Sequence, residues 1–193
     1  MRTFIAIDLD AAIRKHLTAV QSRLRASGLK LAWVDPAKVH LTLKFLGEMS
    51  DAQTRPVAEA IDTLTKHTQP LEFSVGGLGV FPPSGAVRVV WVGVQDETGA
   101  LAACQTNCEK LLAPLGFDQE RRGFSPHLTL GRNKSPAAST HIRRVVADFG
   151  PLQCGIQHVD RLIFYHSTLT PRGSVYEPLS SHALAERGNL NVP

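Results

Sequence analysis

The tetrapeptide His-Leu-Thr-Leu occurs twice in this chain, beginning at His40 and again at His127. On a β-strand alternate side chains share a face. In each copy the histidine and threonine therefore look one way and the two leucines the other. Leu41 and Leu43, and Leu128 and Leu130, become core anchors, while His40 with Thr42 and His127 with Thr129 face a cleft. Two facing imidazoles, each titrating near neutrality, can move two protons in one turnover, one as base and one as acid. Threonine hydroxyls are neutral donors suited to phosphate oxygens. Activation of a nucleophile at one histidine and protonation of a leaving group at the other describe attack at a phosphodiester, and such chemistry needs no metal.

A single histidine on a strand is more often structural than catalytic, and it is the recurrence in equivalent surroundings that changes the reading. The other six histidines, His16, His67, His141, His158, His166 and His182, lack a partner motif and are assigned solvent-facing or structural roles. Zinc-ligand spacings of the H-x-x-x-H or C-x-x-C type are absent, as are a G-x-S-x-G elbow and a P-loop. The three cysteines form no even disulfide set, and Cys104 and Cys108, four apart on one helix face, read as buried thiols.

Positioning these strands requires an α+β frame. Thr3–Leu9 reads as a buried strand, and Asp10 opens an amphipathic helix stopped by Gly28. "LKLAWV" and "VHLTLKFLG" read as strands joined around Asp35-Pro36. A second helix follows Ser50, its regular part starting near Pro56. A hairpin turns at Pro82 to Gly85, helices span Gly99–Ala113 and Ala137–Phe149, and two strands close the domain around Pro171-Arg172-Gly173. Each repeated strand is followed by a helix, which predicts two pseudo-symmetric lobes. Each lobe would be an antiparallel sheet with helices packed outside and the site in the cleft between lobes. Residues 1–181 are expected to form one bilobal domain with an internal two-fold repeat, and residues 182–193 a frayed tail.

The chain has 193 residues, 43% hydrophobic and 20% charged, with a formal net charge of +4. This is the profile of a globular protein, and the mild basic excess suits a polyanionic partner without proving one. Arg121, Arg122, Arg132 and Lys134 gather around the second motif. With no apolar run long enough for a membrane span and an N-terminus too acidic for a signal peptide, a cytoplasmic location is expected. Nothing implies an obligate protein partner, and a monomer is the default.

Two H-x-T-x motifs, one per half, resemble the two-histidine phosphoesterase superfamily. The match is closer to the bacterial and archaeal RNA 2′,3′-cyclic phosphodiesterases, also called 2′-5′ RNA ligases. It runs through "FIAIDL", "AWVDPAKVHLTLKFLGE", "GVFPPSGAVRVVWVGV", "GFSPHLTLGR" and "STLTPRGSVYEPL". The resemblance implies hydrolysis of RNA 2′,3′-cyclic phosphate ends to 2′-phosphates with no cofactor. His40 would be the proton donor, His127 the proton acceptor, and Thr42 and Thr129 the phosphate holders. Which histidine is acid and which base is not readable from two chemically alike motifs. Arg132 is a further phosphate candidate, although its odd offset from His127 points it to the opposite face unless the strand twists or ends. Lys44 shares the nominal face of His40 and is a candidate for RNA backbone, or else a solvated strand-edge lysine. Phe45, Phe124 and Trp33 are candidates for base stacking, or else core. Arg88 interrupts an apolar strand and requires a phosphate or carboxylate partner. Reverse 2′-5′ ligation would be a side activity. The rival functions are a non-catalytic nucleotide-binding module and a phosphodiesterase for small cyclic-phosphate nucleotides.

Overall fold

The structure, a computed structural model, describes residues 1–171 and 173–186. Nine strands and four α-helices follow in the order β1 (Arg2–Asp8), α1 (Ala11–Ala26), β2 (Ala32–Trp33), β3 (His40–Glu48), α2 (Thr54–Lys66), β4 (Leu71–Phe81), β5 (Val89–Gln95), α3 (Ala100–Leu112), β6 (His127–Arg132), α4 (Ser139–Ala147), β7 (Gln153–Val159), β8 (Arg161–Thr170) and β9 (Gly173–Ala183) among these residues. The strands form two antiparallel sheets, β3-β1-β8-β9 and β2-β6-β5-β4-β7. The expected α+β fold of two antiparallel sheets with helices is what the chain adopts.

The order β3-β1-β8-β9 has a counterpart in β6-β5-β4-β7. Chain direction supports the match: β1-α1 leads to β3-α2, and β5-α3 leads to β6-α4. The sheets also exchange strands, since β4, following the first unit, pairs with β5, and β8, following the second, pairs with β1. Each HLTL strand is thus fixed against a neighbour from its own half, which is in turn backed by a strand from the other. β3 and β6 touch across the sheets.

Helix faces follow from apolar spacing. α1 buries Ile13, Leu17, Val20 and Leu24 together with Gln21, and ends where Gly28 takes φ +83°, a conformation that favours glycine. α2 starts at Thr54, so Pro56 falls in the first turn, where a missing N–H costs nothing, rather than in an interior it would break. Leu128 and Leu130 are fully inaccessible and Leu41 and Leu43 nearly so, all within one continuous core. Each such side chain contributes about 2–3 kcal/mol through apolar burial.

Three expectations are corrected. "LKLAWV" supplies only the two-residue β2, which lies in the opposite sheet from β3, with a 3₁₀ turn at Pro36–Lys38 between them. β7 was not foreseen, because Gln153, Gln157, His158 and a positive-φ Gly155 hide an edge strand inside a polar stretch. The tail does not start at 182: β9 continues to Ala183, Leu184 is buried, and the Ala185 N–H donates to Thr65 O and Thr68 O. His182 is buried between Asp62 (Nδ1 to Oδ1, 2.6 Å) and Ser180 (Nε2 to Oγ, 2.7 Å), which fastens β9 to α2. Arg172 of the expected closing turn and residues 187–193 of the expected tail lie outside the described residues. Among the described residues no helix is long and apolar enough to cross a membrane.

Candidate active site

In β3 the alternation holds for His40, Leu41, Thr42 and Leu43, and then breaks. Ile5 pairs with Lys44 but Ala6 pairs with Thr42, so Leu43 is the extra residue of a β-bulge. Beyond it the faces swap: Lys44 is buried and Phe45 is 64% exposed. β6 carries the same device at the matching place. Val90 pairs with Gly131 and Trp91 with Thr129, leaving Leu130 as the extra residue and returning Arg132 to the face of His127 and Thr129. The bulge answers the odd offset of Arg132, which is exposed on the face of His127 and Thr129. The carbonyl of Leu130 is satisfied from outside the ladder by the Val34 N–H at 2.9 Å and Gln21 Nε2 at 3.0 Å.

Cross-strand partners therefore share the histidine-bearing face in the pairs Asp8/His40, Ala6/Thr42 and Phe4/Phe45 in one sheet, and Gly93/His127, Trp91/Thr129 and Val89/Arg132 in the other. His40 stacks on Phe4 (centroids 4.7 Å, planes at 23°) and meets the Tyr176 ring edge-on at 5.1 Å. His127 meets Phe81 edge-on at 4.9 Å, with Trp91 6.3 Å away. The buried Trp91 Nε1–H has no protein acceptor among the described residues.

Both imidazoles are oriented in the same way. His40 Nδ1 lies 2.9 Å from Lys38 O and His127 Nδ1 lies 2.8 Å from Ser125 O, in each case a backbone carbonyl two residues upstream. A carbonyl only accepts, so Nδ1 carries the proton and Nε2 is left for chemistry. The turn that carries the Lys38 carbonyl is itself held. Arg14, from α1, donates Nε to Leu9 O at 2.9 Å and Nη1 to Pro36 O at 3.1 Å and to Ala37 O, clamping the turn that precedes His40. Burial against the aromatic rings holds the His40 pKa below its ordinary value, the Lys38 hydrogen bond and the Asp8 charge opposing that shift.

Other candidates are placed differently from expectation. Lys44 reaches neither substrate nor solvent; the bulge turns it to the helix side, where Nζ pairs with Glu109 Oε2 at 2.5 Å and also donates to Asp118 O. Glu109 additionally accepts from Gln105 Nε2 at 2.9 Å and the Glu120 N–H at 3.2 Å, so the pair ties β3 to the segment entering the second motif. Arg88 lies just before β5 rather than inside it and is exposed, so it incurs no burial penalty. Phe124 and Trp33 pack partly against the core, and Arg25 covers the Trp33 ring at 4.6 Å. Phe45 keeps an open ring beside Phe4. Sequence reasoning missed Asp8, Arg14, Tyr165, Tyr176 and Trp91. Only the Phe4-Ala6-Asp8 alternation within "FIAID" offered a local signal.

Residues 7–91 match the family model described as LigT like phosphoesterase. A protein of Archaeoglobus fulgidus called RNA 2′,3′-cyclic phosphodiesterase is 34% identical over 93% of this chain and 98% of its own length. A protein of the same name from Methanothermobacter thermautotrophicus is 31% identical over 91% and 95%. Among solved structures, TT0787 of Thermus thermophilus superposes with a TM-score of 0.79 at 28% identity, covering 97% of this chain and all of that one. E. coli LigT complexed with 3′-AMP gives 0.76 at 27% identity, covering 95% and 97%. Full-length likeness in sequence and fold thus joins the two oriented histidines, and the chain belongs to the LigT-like family of two-histidine phosphoesterases.

Proposed function

We propose that this protein hydrolyses 2′,3′-cyclic phosphate ends of RNA to 2′-phosphates, without a metal, using His40 as acid and His127 as base. The observation that carries the reading is the duplicated strand with its duplicated bulge. Each copy presents an imidazole with Nδ1 committed to a backbone carbonyl and Nε2 without a protein partner among the described residues, beside a threonine on the same face. The relatives named for the same activity over nearly the whole chain support it.

In this mechanism a water oxygen attacks phosphorus while His127 Nε2 takes its proton. The P–O3′ bond breaks, and His40 Nε2–H protonates the departing 3′-oxygen. The product carries a 2′-phosphate and a free 3′-hydroxyl, and one proton has crossed from His40 to His127, to be restored through solvent. Thr42, Thr129 and Arg132 hold the non-bridging oxygens, where negative charge grows in the transition state. The same steps with an RNA 5′-hydroxyl attacking in place of water, its proton taken by His127 and the 3′-oxygen again leaving to His40, give a 2′-5′ linkage. In dilute solution water is in vast excess, so ligation is a side activity.

The test is turnover of a short RNA ending in a 2′,3′-cyclic phosphate, with EDTA present and 2′- and 3′-phosphate products resolved. A 2′-phosphate product is expected. Nucleotide binding without turnover would place the protein among binding modules instead. Equal turnover of mononucleotide cyclic phosphates, with no gain from oligonucleotide length at low salt, would favour a small-molecule phosphodiesterase.

A further inference from the structure

The two motifs are matched in strand, bulge and histidine anchoring, yet differ at one position that touches the chemistry. Directly across the ladder from His40 stands Asp8, and across from His127 stands Gly93. Opposed residues in an antiparallel pair share a face with Cβ atoms about 4.5–5.5 Å apart. One imidazole therefore has an anion as its nearest cross-strand neighbour, and the other has no side chain there at all. A carboxylate beside a phosphate site repels the substrate's charge, so its place cannot be explained by substrate affinity.

Asp8 is also held. The Tyr165 hydroxyl from β8 lies 3.0 Å from each carboxylate oxygen, and its ring stacks on Phe4 at 5.2 Å, the same ring on which His40 stacks. Burial and the Asp8 charge push the Tyr165 pKa well above its ordinary value, so the phenol remains a neutral donor at working pH. On the matched strand of the other sheet, β4, the place of Tyr165 is taken by Phe81, which pairs with Val89 as Tyr165 pairs with Phe4 and carries no hydroxyl.

From this asymmetry we infer that Asp8, anchored by Tyr165, is a positioning residue that favours the protonated, proton-donating form of His40 against its burial, and that Gly93 leaves His127 as the acceptor. The inference rests on the phosphodiesterase reading and adds what breaks its symmetry. The groups facing His40 are Asp8 and Phe4 from β1, Arg14 from α1, Tyr165 from β8, Tyr176 from β9 and the Lys38 carbonyl. Burial and the Arg14 charge disfavour the imidazolium, whereas the Lys38 carbonyl and Asp8 favour it. Asp8 is the sole carboxylate in that group, and it offsets burial at the histidine that must carry a proton into the reaction.

The experiment is an NMR titration of the imidazole signals of His40 and His127 in free wild-type protein, Asp8→Asn and Tyr165→Phe, with kcat/KM measured across pH on the same samples. Asp8→Asn keeps the side-chain shape and an acceptor for Tyr165. It should lower the His40 midpoint by about 0.5–1 pH unit, the effect of one charge at about 6 Å in partly hydrated surroundings. The His127 midpoint should stay put. The alkaline limb of kcat/KM should move to lower pH by the same amount, and Asp8→Glu should restore part of the shift. Tyr165→Phe, which frees the carboxylate without removing its charge, should give a smaller shift in the same direction. A His40 midpoint unchanged in Asp8→Asn, or an equal shift of both histidines, would overturn the inference. Because the titration needs no substrate, that failure is separate from an absence of wild-type turnover, which would count against the proposed function itself.

Discussion

Replacing Lys44 by methionine removes one member of an ion pair whose side chains are only 5% and 10% accessible. Methionine fits the aliphatic stem but strands the Glu109 carboxylate, which keeps only the Gln105 amide and the Glu120 N–H as donors. Leaving a buried charge without its partner costs about 3–5 kcal/mol. In a domain of this size each kcal/mol lowers Tm by about 2–4 °C, so Tm should fall by about 6–20 °C. Glu109→Leu should cost a similar amount, because Lys44 is then the orphan. The double variant Lys44→Met/Glu109→Leu should recover most of the loss, since neither charge remains. The assay is urea and thermal unfolding of the four proteins, read as a double-mutant cycle. Single variants each losing under about 1 kcal/mol, with losses that simply add in the double, would refute the assignment of a tightly coupled buried pair.

Other consequences are directly measurable. Arg14→Met should lower kcat by about 10- to 100-fold with little change in KM, because the released turn no longer fixes the Lys38 carbonyl that aims His40; Arg14→Lys should rescue only partly. Gly79→Ala would drive a methyl into the Trp91 ring, and should cost about 1–3 kcal/mol, shift the tryptophan fluorescence and depress activity through the neighbouring His127. Burial pushes the Cys104 and Cys108 thiols up to about 11 and about 12, so native protein at pH 8 should resist a thiol reagent that modifies all three cysteines once urea is added. His40 contributes to acid sensitivity: its folded pKa lies below the unfolded 6.5, so the unfolded chain takes up its proton first. Stability present above that pH is then lost as pH falls towards the folded value. A His40→Asn variant should show a flatter stability curve below pH 6.5.

Much of this architecture was legible because it follows from strict periodicities. The two HLTL strands could be oriented residue by residue, with Leu41, Leu43, Leu128 and Leu130 inward, because strand alternation leaves no other arrangement for a half-buried segment. Alternation was also where the reading failed. Extending it past Leu43 placed Lys44 in the cleft, and extending it past Leu130 turned Arg132 away. One extra residue in each strand reversed both, and nothing in either sequence marks a bulge at a leucine. Asp8 and Tyr165 escaped notice for a different reason. They lie 157 residues apart and meet only because β8 returns to pair with β1, a long-range pairing with no local signature. The last strand was cut short because the burial of His182 depends on Asp62 in α2, a contact no property of the tail itself reveals.

The most direct measurement is single-turnover cleavage of an RNA 2′,3′-cyclic phosphate in EDTA by wild type, His40→Ala, His127→Ala and the double variant. An acid and a base acting on one phosphate predict that either single change lowers the rate by about 10²–10⁴-fold, and that the double loses far less than the product of the two. The wild-type product should be a 2′-phosphate alone. Near-wild-type cleavage after loss of either histidine, or a 3′-phosphate product, would contradict paired-histidine catalysis in this cleft.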